Sequence, residues 1–308
     1  MLPHELYTVR GKRIMDSWYC HDGERYHAFF LEYPAQNAPA DYFNYQSIGH
    51  SSSPDMRHWE YHGTILSPDK GGWDDKGLAT GSVVAHAGRW YILYTGKGSC
   101  GRDGLGLAVS DDLCSWRRVS DRPVVDLSKT VRASYEGTEY DCLMLADPYV
   151  YPEPIDGWYY AYVNAHAQGL PMNHRGCQVL LRSRDLMDWS AEKIALLDEC
   201  DRTETAQVWE HDGKWYMYFG QVFTKEEGGQ TAFNQTYTAE QFSGPFLPYG
   251  NTECQLGHYF YIMKVLKDTR GREVILANSP PDGVIGPFEV NYLAQGGICV
   301  QKFTSEEN

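Results

Sequence analysis

The chain has 308 residues, of which 42% are hydrophobic and 22% charged, with a formal net charge of −14; this is the composition of a globular protein and excludes a disordered or fibrous one. No uninterrupted apolar run approaches the roughly 18 residues of a membrane span, and the negative balance argues against nucleic acid or anionic membrane as a partner, because both select a basic surface. Length leaves one large domain or two ordinary ones open, and Met1-Leu2-Pro3-His4-Glu5-Leu6 lacks the basic-then-apolar layout of a secretory signal, so a cytoplasmic location, or else a mature chain already trimmed, is expected.

In chain order, the first predicted element is a hairpin, His21-Asp22-Gly23-Glu24-Arg25-Tyr26-His27-Ala28-Phe29-Phe30, in which a glycine turn leads into aromatic and apolar residues. The same grammar returns at Ala87-Gly88-Arg89-Trp90-Tyr91-Ile92-Leu93-Tyr94, Ile155-Asp156-Gly157-Trp158-Tyr159-Tyr160-Ala161-Tyr162, His211-Asp212-Gly213-Lys214-Trp215-Tyr216-Met217-Tyr218-Phe219 and Thr269-Arg270-Gly271-Arg272-Glu273-Val274-Ile275-Leu276. In each, the glycine supplies the positive φ of a tight loop, and the residues after it suit a strand buried on one or both faces. A second repeat lies between the hairpins: Ser53-Pro54-Asp55-Met56-Arg57-His58-Trp59, Ser110-Asp111-Asp112-Leu113-Cys114-Ser115-Trp116 and Ser183-Arg184-Asp185-Leu186-Met187-Asp188-Trp189. A Ser and an Asp before an apolar residue and a Trp predict a capped turn into an outer strand whose Trp packs between neighbouring sheets.

The turn glycines recur at intervals of roughly 60 residues, the length of a four-stranded sheet that cannot bury its own faces but can pack radially with others. Five such units predict an all-β, single-domain five-bladed β-propeller over residues 1–303, with 304–308 as a loose tail. A two-domain β-sandwich also suits short, regularly spaced strands, but it does not produce a five-fold internal repeat. The eight cysteines (20, 100, 114, 142, 177, 200, 254 and 299) show no zinc-ligand spacing and read as buried thiols. The chemistry described below requires neither metal nor cofactor.

In a propeller the innermost strands line a central channel, so polar residues at their starts converge although far apart in sequence. Asp16, Asp147 and Glu204 precede the first, third and fourth turn glycines by comparable distances. Each alone reads equally as a strand-end acid. Together, two Asp and one Glu on separate blades meet the needs of glycoside cleavage: one carboxylic acid protonates the leaving oxygen, another carboxylate attacks the anomeric carbon or activates water, and a third holds a hydroxyl or tunes its neighbours.

Gly49-His50-Ser51-Ser52-Ser53-Pro54-Asp55-Met56-Arg57-His58-Trp59 resembles the Gly-His-Ala-Thr-Ser-x-Asp-Leu-x-His-Trp segment of glycoside hydrolase family 32, with family 43 next nearest. Tyr26-His27-Ala28-Phe29-Phe30, Thr80-Gly81-Ser82-Val83-Val84, Tyr94-Thr95-Gly96, and Glu204 with the segment from Gln207 to Tyr216 are also similar, so the resemblance covers all five blades. It implies an Asp16 nucleophile, an Asp147 transition-state stabiliser and a Glu204 acid/base in a retaining mechanism acting on furanosides such as β-fructosides. The chain departs from the pattern in three places: Asn-Asp-Pro-Asn-Gly is reduced to Asp16-Ser17-Trp18, Arg-Asp-Pro becomes Ala146-Asp147-Pro148, and Ala206 replaces a proline. Loss of the arginine removes a bidentate donor and leaves fructose specificity open. A likeness to family 43 would instead make Asp16 a base activating water, with inversion; the carboxyl separation distinguishes the two.

Trp18 and Trp73 are candidate stacking platforms for sugar C–H faces, with core packing as the alternative; His50, Asp74, Ser82 and His166 are candidate hydroxyl ligands. His174 and His258 could also face the channel, and His258 could support a central ion. The expected partner is a carbohydrate, and a monomer or small homo-oligomer fits the acidic surface. Two other readings remain. One is a phosphorylase similar to family 130, with Arg132, Arg175 or Arg182 at a phosphate subsite. The other is a non-catalytic sugar-binding propeller, which would not pair the three acids.

Overall fold

A computed structural model describes residues 6–36, 46–99, 101, 103–248, 262–279, 283–293 and 297–301. The tail at 304–308, Cys100, Cys254 and His258 lie outside them. Five antiparallel sheets follow one another along the chain, four built from consecutive strands and the last also taking in the N-terminal strand. Their innermost strands are Lys12–His21, Gly77–His86, Thr138–Val150, Arg202–His211 and Met263–Lys267. This is the five-bladed β-propeller that the repeat predicts.

The hairpins form for the anticipated reason. Gly23, Gly88, Gly157, Gly213 and Gly271 all have positive φ, as do Ala87, Asp156 and Asp212 before three of them. Two successive left-handed residues make a turn whose twist matches the flanking strands, and Asp tolerates that region better than most residues. In the second repeat, Ser53, Ser110 and Ser183 donate to the carboxylates of Asp55, Asp112 and Asp185 at 3.0 Å. The indole N–H groups of Trp59, Trp116 and Trp189 donate to the carbonyls of Met56, Leu113 and Leu186. Trp116 meets Phe29 of the preceding blade edge-on at 5.6 Å, the inter-sheet packing expected of it.

The core is divided into five clusters, each between two successive blades. Alternation along single strands makes this division. In Tyr26–Pro34, Phe29 and Leu31 pack toward the second blade, whereas Ala28 and Phe30 pack toward the fifth. In Lys214–Thr224, Tyr216 and Tyr218 face the fifth blade and Met217 and Phe219 the third. Successive strand residues point to opposite faces, so a strand buried on both sides reads as an unbroken apolar run. Each fully buried phenylalanine contributes about 1.5–3 kcal/mol relative to exposure.

The ring is closed by the N-terminal segment. Leu6 and Tyr7 pair with Ile285 and Val284 in the last blade, while Val9 and Ile14 pack against Val274 and Leu276. Cys142, Cys177, Cys200 and Cys299 are buried free thiols, but Cys20 is only half-buried and Cys114 is exposed, because its turn projects from the blade edge. No described helix is long and apolar enough to cross a membrane.

Candidate active site

At one level around the channel, the inner strands of the first four blades lose register with their neighbours. The shifts fall between Met15 and Ser17, Ala79 and Gly81, Met144 and Tyr149, and Glu204 and Gln207. A bulge leaves a residue without a partner and re-aims its side chain. Asp16 (φ 37°) and Asp147 (φ 58°) occupy such bulges in left-handed conformations, and Thr205 (φ 50°) follows Glu204 in another. Left-handed backbone is costly for a β-branched residue such as threonine and persists only where surrounding contacts over-determine it.

Asp16, Asp147 and Glu204 line one cavity of about 650 Å³, together with His166, Lys97 and Arg202. Thr80 donates its hydroxyl to Asp16 Oδ2. Asn164 Nδ2 donates to Asp147 Oδ2 at 3.1 Å and to the Thr203 carbonyl at 2.9 Å, and its Oδ1 accepts the Ala146 amide at 2.6 Å. The Thr205 amide also donates to Asp147 Oδ2, at 3.3 Å. Arg202 Nε donates to Glu204 Oε1 at 2.9 Å, and its Nη2 donates to Gln230.

Burial, followed by the charge of Asp147, raises the Asp16 carboxyl to about pKa 7; the Thr80 hydroxyl and the Lys264 ammonium pull it down. Asp147 is raised to about 6 by burial and then by Glu204. Displaced carboxyl pKa values within one cavity mark groups suited to acid–base or nucleophilic work at neutral pH.

His166, a candidate hydroxyl ligand, lines this cavity, with Nε2 3.8 Å from Asp201 Oδ1, and burial lowers its pKa. The other predicted sugar ligands are elsewhere. Trp18 and Ser82 stand two residues beyond Asp16 and Thr80 and line a second cavity of about 350 Å³ at the other end of the channel. Two residues along a strand advance the chain by about 6–7 Å. His50 is fully buried within the first blade, stacked on Phe29 and hydrogen-bonded to His27. Asp74 is the buried anion of an ion pair with Arg118 at 2.8 Å and accepts a hydrogen bond from Tyr94. Trp73 packs against Tyr94 over Gly96 and Gly106, where an added Cβ would meet its ring at 2.4 and 2.8 Å. None of these three lines the carboxylate cavity.

His174 is exposed. Arg132 pairs with Glu139, Arg175 with Asp201 and Arg182 with Glu192, and none of the three lines the carboxylate cavity. Among the described residues no group of three or more His, Cys, Asp or Glu is placed to hold a metal ion.

Residues 18–278 match the family described as Glycosyl hydrolases family 32 N-terminal domain. The chain belongs to glycoside hydrolase family 32. Its curated relatives include a sucrose-6-phosphate hydrolase of Bacillus subtilis, 27% identical over 272 residues that make up 82% of this chain and 51% of the relative. A raffinose invertase of Escherichia coli is 24% identical over 280 residues, 82% of this chain and 52% of the relative. The chain thus spans about half the length of the curated relatives it matches. Among solved structures, a family 32 β-fructofuranosidase of Bombyx mori superposes with a TM-score of 0.74 at 18% identity, covering 98% of this chain and 65% of the other. A fructan 1-exohydrolase of Cichorium intybus gives 0.72 at 17% identity, covering 97% of this chain and 60% of the other. At these identities the superpositions establish the fold.

Within the family 32 match, Asp147 and Glu204 fall inside the matched segment, and Asp16 lies two residues before it, where the chain's first motif is reduced. Sequence reasoning missed Thr80, Asn164, Arg202 and Lys264, which bond to or charge the three acids. Thr80 alone carried a signal, since it opens the Thr80-Gly81-Ser82 segment and sits on the second inner strand level with the acids.

Proposed function

We propose that this chain is a glycosidase acting on β-fructofuranosides by double displacement. Asp16 Oδ1 attacks the anomeric carbon while Glu204 gives its proton to the departing oxygen, so that the glycosidic bond breaks as the Asp16 ester forms. Glu204, now a carboxylate, takes a proton from water, whose oxygen displaces Asp16 and releases the sugar. Asp147 holds substrate hydroxyls as charge develops on the ring. Arg202 reaches the cavity from the fourth blade and offers a guanidinium where Ala146 has none.

The observation that carries this reading is the convergence of Asp16, Asp147 and Glu204, from three blades, on the walls of one cavity. The family membership and the fructoside-cleaving relatives point to the same substrate class. The test is release of free sugar from sucrose, sucrose 6-phosphate, raffinose, arabinofuranosides, xylosides and galactofuranosides by wild type and Glu204→Gln. Turnover of a fructoside that falls at least about a hundredfold in the variant supports the reading. No turnover of any fructoside, or turnover indifferent to Glu204, overturns it.

A further inference from the structure

Among the described residues the fifth blade contributes no acid to the site, and its inner strand keeps register with its neighbour from Met263 to Lys267. What it sends into the channel is Lys264, a lysine only 6% exposed. A lysine is seldom buried to this degree without a partner that repays its desolvation. The partners here belong to the bulge after Glu204. Lys264 Nζ donates to the carbonyl of Ala206 at 3.1 Å and to that of Thr205 at 3.3 Å. These carbonyls lie within the stretch, from Glu204 to Gln207, where the fourth blade loses register with its neighbour. Beside them, Gln207 and Val265 exchange two hydrogen bonds of 2.8 and 2.7 Å, so the whole bulge is stitched to the unbulged blade.

The same ammonium faces the carboxylates. Asp147 and Asp16, on the third and first blades, are the charges that act on it, and the Tyr149 ring centroid is 5.4 Å from Nζ. Glu204 stands on the strand whose carbonyls it holds. The second blade presents the uncharged Thr80 at this level, with Lys97 farther along the cavity wall. Toward the other end of the channel the ionisable neighbours are Glu153, Glu210, Lys267 and Glu273. Burial lowers the Lys264 ammonium to about pKa 8, while the two aspartates favour its charged form.

We infer that Lys264 is a positioning residue for the carboxylate cluster: it fixes the bulge that presents Glu204, and its charge beneath the cavity favours the ionised form of Asp16. This rests on the hydrolase reading above. The test is kcat/KM against pH for wild type, Lys264→Gln and Lys264→Met on whichever fructoside the wild type cleaves. Loss of the cation makes Asp16 harder to ionise, so the acidic limb moves to higher pH, by about 0.3–0.5 unit in both variants. Lys264→Met, which has no donor for the bulge carbonyls, also loses about tenfold in the pH-independent value relative to Lys264→Gln. If Lys264→Met does not fold, the limb of Lys264→Gln decides alone. A limb unmoved in a folded variant overturns the role of Lys264 and leaves the hydrolase reading standing. Absence of fructoside turnover by the wild type at every pH overturns both.

Discussion

Thr80 on the second blade donates its hydroxyl to Oδ2 of Asp16 on the first, while Oδ1 of the same carboxylate accepts no hydrogen bond from the described residues. One oxygen is tethered, and the other is buried without a partner. That asymmetry suits a nucleophile, because the tether fixes the direction of attack without occupying the attacking atom.

Thr80→Val keeps the shape of the side chain and removes the donor. A hydrogen bond to the charged form lowers a carboxyl pKa, so its loss raises Asp16 above the present value of about 7. In the proposed mechanism attack requires the ionised form, so activity is expected to fall as pH drops through that pKa. The acidic limb of kcat/KM is expected to rise by about half to one pH unit, with activity at pH 6 reduced several-fold. A limb identical to the wild type's would show that another group governs it.

Asp16 also links stability to pH. Its folded pKa of about 7 stands above the unfolded value of 3.8. Between these values the folded chain holds a proton that the unfolded chain has lost, so stability falls as pH rises through the window. The full effect is on the order of 4 kcal/mol. Asp16→Asn cannot ionise, and thermal unfolding is expected to give a higher Tm than wild type at pH 8 and no difference near pH 3. An equal Tm at pH 8 would mean that Asp16 ionises without cost.

Asn164 is 2% exposed and bonds to Asp147, Ala146 and Thr203 at once. Asn164→Ala leaves the Ala146 amide and the Thr203 carbonyl short of a partner, at about 1–3 kcal/mol each. With Asp147 no longer held, kcat is expected to fall at least tenfold with a smaller change in KM. Denaturant unfolding and steady-state kinetics check the two parts separately.

Arg118 and Asp74 provide the contrasting case. Arg118→Met strands a buried carboxylate and is expected to destabilise by about 3–5 kcal/mol, while kcat/KM of the folded enzyme stays within about threefold of wild type. A large rise in KM at unchanged stability would instead restore Asp74 as a sugar ligand.

The convergence of Asp16, Asp147 and Glu204 on one cavity was legible because they sit at matching places in a visible repeat. His50 sits in an equally family-like segment, and Trp73 and Asp74 just before the second inner strand, yet all three pack within the blades. The sequence does not distinguish the two groups, because motif position specifies a strand and a level but not whether a side chain faces the channel or the neighbouring sheet. Trp18 and Ser82 show the same limit along the strand: two residues place them at the other end of the channel from Asp16 and Thr80.

What the sequence determines by itself is local or periodic. Positive-φ glycines set the hairpins, alternation of side chains makes each blade apolar on both faces, and the Ser-x-Asp turns end the third strands of three blades, all over distances of a few residues. What only the tertiary structure decides is convergence. The joining of Leu6 and Tyr7 to the last blade, the contact of Thr80 with Asp16, the grip of Asn164 on Asp147 and the reach of Lys264 beneath the bulge at Thr205 connect residues 17 to 279 positions apart. No short-range pattern encodes those distances; they exist because five blades, each unable to bury its own faces, bury them against one another in a closed ring.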